Sequence, residues 1–412
     1  MPKQERSEAV FAEHLYLVRN AGVKVAAVQT ETGVRSDCCL EDSRNFKVSQ
    51  NKIFDGMHDI LLGIGPMTLK LIIHHFVFEE RLFSVHYLNG RIFAYSYGRL
   101  ERKNKPPNLN HNNIRNVKDH SLSQKAMQMW CFLRVFPFLV SEKLPKGHSH
   151  MQLLLLLLQI MEIVFAPKVT KSLLPLLAEL IKDFLQLFKT LFPNANYINK
   201  FHHLTHYTEC VLWSGSLRLL WCMGYEKKHS HIKRRGQVVN NFKNCPKTLV
   251  RVFQCQQSAM WGFGDVKLHS VVPQGGRIVR VEGTLSHQHL KDLNYLDGDL
   301  VFKTKSARVN VVLHANGLYV CLDARKEEDV NLPIFGKIHE IIIGKKSEVF
   351  LRTFICETTR FDPNLNAHCI ELNSEENVDF RSTTRLADYT TMSTWTEPNS
   401  EELLISLLHV LI

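Results

Sequence analysis

Two short acidic segments, far apart in the chain, contain the residue types that a metal-dependent phosphodiester site requires. Asp55 is followed by Gly, Met and His58, and Glu226 is followed by two lysines and a histidine. Two divalent cations about 4 Å apart can stabilise both the attacking and the leaving oxygen of a phosphodiester, if several carboxylates bind them. Such sites usually have three carboxylates, and the sequence offers two. We therefore predict a metal site at Asp55 and Glu226 that is short of one ligand.

Asp55 has a second interpretation, which requires no metal. Asp55 and Asp59 lie one helical turn apart, with His58 between them. An aspartate in this position commonly caps a helix, and an acid in the first turn interacts favourably with the helix dipole. On residue chemistry alone, capping is favoured over metal ligation. His202, His203, His206 and Cys210 also share a helix face that could bind a metal, but a partly buried face with satisfied histidines is the favoured interpretation.

Glu226 lies in the most basic part of the chain. Helical spacing places Glu226, His229 and Lys233 on one face, and nearby cations keep a carboxylate ionised, as a metal ligand must be. A surface ion-pair cluster explains the same residues equally well. The candidate nucleic-acid-binding residues are Lys227, Lys228, His229, Lys233, Arg234, Arg235, Lys243 and Lys247.

The distribution of charge favours a polyanionic partner. The chain has 412 residues and a formal net charge of +11, and residues 200–251 contain ten Lys or Arg but only two acids, Glu209 and Glu226. A concentrated positive segment attracts polyanions, and DNA is the partner that we expect. A solvated basic face without a partner is the alternative interpretation.

Composition and motifs argue against several other classes of protein. The ten cysteines include no CxxC pair, which indicates reduced thiols in the nucleus or the cytoplasm. The polar N-terminal residues do not resemble a signal peptide, and the apolar residues 153–166 are fewer than the roughly 20 that cross a bilayer. We therefore predict a soluble protein without a membrane partner. Because GxSxG, P-loop, Rossmann and HExxH motifs are absent, no small-molecule substrate is indicated.

The apolar pattern predicts an α+β protein. Residues 1–50 are expected to form a helical and loop segment, and residues 51–262 a mostly helical core with an all-α insertion at about 123–192. Residues 263–385 contain the short β-branched runs and turns of a small β-barrel or β-sandwich. Residues 386–412 are predicted to be a polar tail.

Some elements are predicted individually. Three long helices are expected in the insertion, beginning near Ser123, His150 and Ser172. A strand that leads into a basic turn is expected at residues 91–103, and a short strand at residues 308–313. The chain is expected to end in a short apolar helix over Glu402–Ile412.

At the two acidic segments the chain resembles transposase-derived proteins of the CACTA-like group. In that family an Asp-x-Met-His segment precedes a helix, as residues 55–58 do here. A His-Leu-x-x-His segment, matched by residues 203–206, leads to an acid and a basic helix, matched by residues 223–233. Residues 240–249 look like the segment that follows. The resemblance covers about residues 10–265 and, more loosely, the β-rich part.

The resemblance implies an RNase H-like core, interrupted by a helical insertion, in which distant acids converge on Mg²⁺ for DNA strand cleavage and transfer. Asp55 would match the second family carboxylate and Glu226 the last, with the following basic helix on DNA phosphates. The family's first acid lies on an upstream β-hairpin, whereas Asp37 and Asp42 fall in a loop. A glutamate usual after the Met-His-Asp segment is replaced by Leu62-Gly63. The chain thus looks like a truncated derivative with a partial RNase H-like core.

The sequence leaves three functional hypotheses. The first is a catalytically inactive, transposase-derived protein of the nucleus that binds DNA through residues 227–251. The second is an active Mg²⁺-dependent strand-transfer enzyme that uses Asp55, Glu226 and a third acid. The third is a non-catalytic protein-interaction module. Close approach of Asp55 and Glu226 would favour the first two hypotheses, and wide separation would favour the third.

Overall fold

The chain divides into a helical part and a strand-rich part. The computed structural model describes residues 7–49, 51, 53–239, 243–262, 271–327, 330–372, 374, 376–397 and 400–411. Every described element up to residue 262 is helical, and the first described strand begins at Val271, so the α+β class is confirmed. The strands that an RNase H-like core implies do not occur among the described residues before Val271. Residues 240–242, part of the family-like segment, lie outside the described residues.

Two short helices begin the described chain. Helix α1 (Glu8–Asn20) starts after Ser7, whose hydroxyl accepts a hydrogen bond from the Val10 N–H. Helix α2 (Val25–Thr32) ends at Gly33, which has a φ of +68°. Phe11 and Val18 of α1 form a small cluster, separate from the main core, with Val34, which follows α2.

A long apolar helix over residues 57–79, the central helix, runs through the helical part. Its middle, α3 (Gly65–His74), is α-helical, whereas Met57–Ile64 and His75–Glu79 are π-helical. By length and composition this helix could span a bilayer, but 72% of its most apolar window is buried inside the fold. Its apolar side chains therefore form the main core. Because π-helical turns often occur at functional sites, both ends of this helix are of interest.

The helices that follow pack around the central helix. The three long helices predicted for residues 123–192 are present, although the first begins after Ser123, which has a φ of +55°. Residues 91–103, predicted as a strand that leads into a turn, instead contain the end of a helix that Ser84 caps and that stops at Ala94, followed by a short helix at Gly98–Glu101. The helices are α4 (Val85–Ala94), α5 (Gly98–Glu101), α6 (His111–Arg115), α7 (Ala126–Val140), α8 (Ser149–Val164) and α9 (Leu174–Leu191).

Four more helices complete the helical part. They are α10 (Asn199–Leu204), α11 (Tyr207–Ser214), α12 (Cys222–Val238) and α13 (Cys245–Gly262). Helix α10 and the start of α12 contact the first π-helical turn of the central helix, and α12 also contacts α13. No residue of α12 is buried, so this helix lies on the surface.

The strand-rich part consists of two antiparallel sheets. The elements are β1 (Val271–Pro273), β2 (Arg277–Arg280), α14 (His287–Asp292), β3 (Leu300–Thr304), β4 (Ser306–Val309), β5 (Val312–Ala315), β6 (Tyr319–Glu327), β7 (Val330–Ile343), β8 (Val349–Asp362), β9 (Ala367–Leu372), β10 (Val378–Ser382), β11 (Asp388–Met392) and β12 (Leu403–Ile405). The small sheet has the strand order β1-β4-β5, and the large sheet has the strand order β11-β6-β7-β8-β9-β12. In the large sheet β3 also pairs with β7, β2 pairs with β3, and β10 pairs with β8.

The sheets pack on each other and on the helices. Ala307 and Ala315 of the small sheet share a hydrophobic cluster with Val320 and Leu351 of the large sheet. The edge of the large sheet formed by β9 and β12 contributes side chains to the core of the helical part. The two parts of the chain therefore share apolar surface, which stabilises their contact.

Two further local predictions are wrong. Residues 308–313, predicted as one strand, turn at Asn310 and Val311, which both have positive φ, so β4 and β5 form a hairpin. The predicted helix over Glu402–Ile412 is instead strand β12, which pairs with β9. A short apolar run does not distinguish a helix from a strand, and here pairing with β9 buries Leu404 and Ile405 completely. Residues 386–412 thus contribute two strands to the large sheet.

Candidate metal site and nucleic-acid interface

Asp55 lies where the N-termini of two helices meet. Its carboxylate accepts hydrogen bonds from the backbone N–H groups of Met57 and Cys222, both at 3.1 Å. Met57 begins the central helix, and Cys222 begins α12. The first N–H groups of a helix have no partner within the helix, and the helix dipole favours a negative charge beside them. One carboxylate therefore caps two helices. The sequence indicated a cap on the helix that follows Asp55, and the structure adds a cap on α12, which is distant in sequence.

The surroundings of Asp55 determine its protonation. Burial alone would raise the pKa of Asp55, but hydrogen bonds from His58, Cys222 and Met57 outweigh burial and hold this pKa below its ordinary value. Asp55 is consequently a carboxylate at neutral pH. A charged carboxylate suits both a helix cap and a metal ligand.

His58 connects the two acids that the sequence predicts as metal ligands. Its Nδ1 hydrogen-bonds to Asp55, and its Nε2 lies 3.5 Å from Glu226 Oε1. Asp55 and Glu226 therefore lie on either side of one imidazole ring. The Asp55 side chain is 20% exposed and that of Glu226 is 56% exposed, so Glu226 forms the solvent-facing side of this cluster.

The ligand atoms nearest to Asp55 are not those of Glu226. Asp55, His58 and Cys222 each offer one ligand atom, and these atoms lie within 4.8 Å of one another. A carboxylate, an imidazole and a thiol form a donor set suited to Zn²⁺, whereas Mg²⁺ prefers an octahedral shell of oxygens. The hydrogen bond to the Asp55 carboxylate raises the pKa of the Cys222 thiol, so metal binding there would have to displace a proton.

Asp59 does not complete a carboxylate triad. Its side chain is buried, and its two oxygens hydrogen-bond to His203 Nδ1 at 3.0 Å and to the Tyr207 hydroxyl at 3.1 Å. The Phe54 ring stacks on the His203 ring, with 4.5 Å between their centroids. The His-Leu-x-x-His segment therefore positions a buried acid of the central helix, and this acid is already fully engaged.

The other candidate ligands also have different surroundings. His206 Nε2 lies 3.2 Å from His202 Nε2, and Cys210 is buried. Among the described residues, no group of converging metal-ligand atoms includes these three side chains. Upstream, Asp37 pairs with Arg19 on the surface.

Lys200 holds the π-helical turn that carries His58. Its ammonium donates hydrogen bonds to the carbonyls of His58 at 2.7 Å and Leu62 at 3.3 Å. A Cβ atom on Gly63 would lie 2.3 Å from Lys200 Cδ, so a side chain there would displace the lysine. The absence of a side chain at Gly63 therefore lets Lys200 reach both carbonyls.

Helices α12 and α13, called here the basic helix pair, carry uncompensated positive charge beside this site. Lys228 lies over the Phe253 ring at 5.9 Å, and His231 hydrogen-bonds to Gln256 at 3.1 Å, which fixes the two helices together. His229, Lys243 and Lys247 are exposed. Within the described part of the chain, the five predicted cations of α12 are exposed and form no ion pair with an acid; they are Lys227, Lys228, Lys233, Arg234 and Arg235.

Comparisons with known proteins assign no family to the chain. No protein-family model, no curated protein and no solved structure matches it. Function must therefore be argued from the residues and their geometry.

The capping role of Asp55 can be measured through stability. Replacing Asp55 by Asn retains an acceptor but removes the charge that favours both helix dipoles, so we expect a loss of about 1–2 kcal/mol in the free energy of unfolding at pH 7. Because the folded pKa of Asp55 is lowered, its stabilisation is present above the unfolded pKa and is lost as pH falls through the folded pKa.

Urea unfolding at pH 7 and pH 3 tests this expectation. The difference between the wild type and Asp55→Asn should shrink at pH 3. Asp42→Asn, a change at an exposed acid, serves as the control and should alter stability by less than about 0.5 kcal/mol. Equal stability of wild type and Asp55→Asn at pH 7 would exclude the capping role.

Proposed function

We propose that this protein is a transposase-derived, catalytically inactive protein that binds DNA through the basic helix pair, with the nucleus as its expected location. The observation that carries the proposal is the row of exposed cations on α12, which no acid of the described chain neutralises. Cations in this state attract phosphates and release their counterions on binding. Lys243 and Lys247 extend the positive surface from α12 toward α13.

The position of α12 supports the proposal that the whole helix contacts DNA. Its N-terminus is anchored at Asp55, so the helix projects its cations from a fixed point on the core. Glu226, the one acid of α12, lies at the anchored end beside His58, whereas Lys233, Arg234 and Arg235 follow about two turns farther along the helix. A helix that carries five exposed cations is well suited to bind a phosphate backbone without reading the base sequence.

Three features support the absence of catalysis. Two-metal strand cleavage requires several carboxylates on the same ions, and Asp55 is engaged with two helix N-termini. Asp59 is engaged with His203 and Tyr207. The remaining nearby donors are an imidazole and a thiol, which Mg²⁺ does not favour. We interpret residues 51–262 as a derivative of an RNase H-like transposase that has kept its helical parts.

The test compares DNA binding by two variants of equal charge. In the first, the five cations of α12 become alanine, and in the control, five exposed lysines elsewhere become alanine: Lys103, Lys118, Lys168, Lys171 and Lys189. We expect the α12 variant to bind duplex DNA about 10–100-fold more weakly at low salt, with a shallower dependence of log K on log salt, because each lost phosphate contact lowers the slope by roughly 0.9.

The control variant separates the contribution of the α12 surface to DNA binding from the contribution of the protein's total charge. If both variants lose affinity equally, the basic helix pair is not the DNA interface. If the α12 variant binds as the wild type does, with the same salt slope, the alternative of a non-catalytic protein-interaction module replaces the proposal.

The remaining alternative is an active Mg²⁺-dependent strand-transfer enzyme. Our proposal predicts that the wild type does not nick supercoiled DNA with Mg²⁺ or Mn²⁺, and that Glu226→Gln is indistinguishable from it. Metal-dependent nicking that disappears in Glu226→Gln would instead establish catalysis.

A further inference from the structure

We propose that His75, Glu80 and His150 form a second site, for a divalent transition metal of the zinc class. Their ligand atoms lie within 4.8 Å of one another. His75 begins the second π-helical turn of the central helix, Glu80 follows that turn, and His150 lies in the first turn of α8. A metal there would join the end of the central helix to the start of α8.

His150 supplies the observation that points to a ligand. Its side chain is 7% exposed, and its Nδ1 is buried without a hydrogen-bond partner among the described residues. Buried polar atoms are nearly always satisfied, so an unpartnered imidazole nitrogen requires an explanation. Bonding to a metal ion would satisfy this lone pair. The His150 ring stacks on the His75 ring with 3.7 Å between the ring centroids, so one ring must turn for a nitrogen of each to face the same ion.

Two neighbouring side chains orient the ligands. Glu79 Oε2 lies 2.5 Å from His75 Nδ1, which leaves His75 Nε2 directed at Glu80 Oε1, at 2.7 Å. His148 Nδ1 accepts a hydrogen bond from the His150 N–H, so its Nε2 carries the proton and donates to Glu80 at 3.0 Å. In metal sites, the histidine nitrogen that does not bind the metal commonly hydrogen-bonds to a carboxylate. A carboxylate ligand commonly accepts a hydrogen bond from a neighbouring donor.

The donor set defines the class of ion. Two imidazole nitrogens and one carboxylate oxygen suit Zn²⁺, with water in the fourth tetrahedral position, whereas Mg²⁺ and Ca²⁺ prefer oxygen ligands. The side chains of Glu80 and Glu79 are 34% and 57% exposed, so solvent and an ion reach the site from that side. This site lies at the opposite end of the central helix from Asp55 and shares no residue with it.

The experiment is a titration of the full chain with Zn²⁺, and with Co²⁺ as a visible probe, in a Cys222→Ser background. That substitution removes the thiol of the cluster at Asp55. We expect this parent to bind one ion with cobalt bands of a nitrogen and oxygen site. Glu80→Gln combined with His150→Gln should lower the affinity at least about 100-fold, because two of three ligands are lost.

Two further variants make the result decisive. Glu79→Gln changes an exposed residue whose ion pairs, within the described part of the chain, are with His74 and His75, so it should fold normally and weaken binding about tenfold. His86→Ala removes an exposed histidine of α4 and should leave the affinity unchanged. Wild-type affinity in both Glu79→Gln and the double variant, each with a native circular dichroism spectrum, would overturn the proposal.

Discussion

Replacing Arg134 by Met is expected to lower the free energy of unfolding by about 3–5 kcal/mol, because it leaves a buried carboxylate without its cation. Arg134 is 7% exposed and pairs with Glu101, which is 9% exposed, at 2.9 Å. It also donates to the Ser406 carbonyl at 3.2 Å and lies over the Trp395 ring at 4.7 Å. Methionine fills much of the volume but replaces none of these interactions.

The same contacts predict a second effect of this substitution. Ser406 and Trp395 belong to the C-terminal part of the chain, whereas Arg134 and Glu101 are in the helical part. Loss of the guanidinium should therefore expose the segment after β12 to proteolysis before the helical core unfolds. Limited digestion followed by mass spectrometry would locate the first cleavage.

A double-variant cycle separates the ion pair from packing. If the cost comes from the unpaired carboxylate, Arg134→Met combined with Glu101→Gln should be less destabilising than the sum of the single variants, by about 1–3 kcal/mol. Equilibrium urea unfolding, followed by tryptophan fluorescence, measures all four proteins. A loss below about 1 kcal/mol for Arg134→Met would contradict the expected role of the buried pair.

The stability of the protein is also expected to depend on the protonation of Glu162. Burial in α8 raises the pKa of Glu162 to about 8, although the Asn366 amide, which donates to it at 2.6 Å, and Arg134 act in the opposite direction. The backbone carbonyl of Glu162 also accepts a hydrogen bond from Val410. Glu162 thus lies at the contact between α8 and the strand-rich part.

The direction of the pH dependence follows from proton binding. Between the unfolded value of 4.5 and the folded value of about 8, the folded state binds more protons than the unfolded state, so stability falls as pH rises. Each pH unit in this window costs about 1.4 kcal/mol, because unfolding releases one proton from Glu162. We therefore expect a loss on the order of 3 kcal/mol between pH 5 and 8.

Glu162→Gln isolates this contribution. The glutamine keeps the acceptor for Asn366 but cannot ionise, so the variant should be more stable than the wild type at pH 8 and nearly equal to it at pH 5. Glu179→Gln, at an exposed acid of α9, should show no such divergence. Parallel stability curves for the wild type and Glu162→Gln, from urea unfolding at each pH, would show that Glu162 is ionised in the folded protein.

The sequence determined those features that depend on neighbours along the chain. The 3.6-residue period and the apolar content predicted the helices of residues 123–192, and α7, α8 and α9 are present. The β-branched runs after residue 263 predicted a change to strands, which the structure has. The accumulation of cations after Glu226 is likewise visible in the sequence alone. Each of these signals is contained within a window of a few turns, and local physics is sufficient to interpret it.

The tertiary structure alone decided which side chains meet. Cys222 approaches Asp55 because α12 begins there, and Asp59 is engaged because α10 and α11 bring His203 and Tyr207 to it. The convergence of His75 with His150 likewise joins two helices whose contact no local pattern specifies. Strand β12 depends on an edge of β9 that exists only after the sheet has formed. Ligand sets and strand partners depend on packing between distant segments, and the pattern within one segment carries no information about the surface that it will meet.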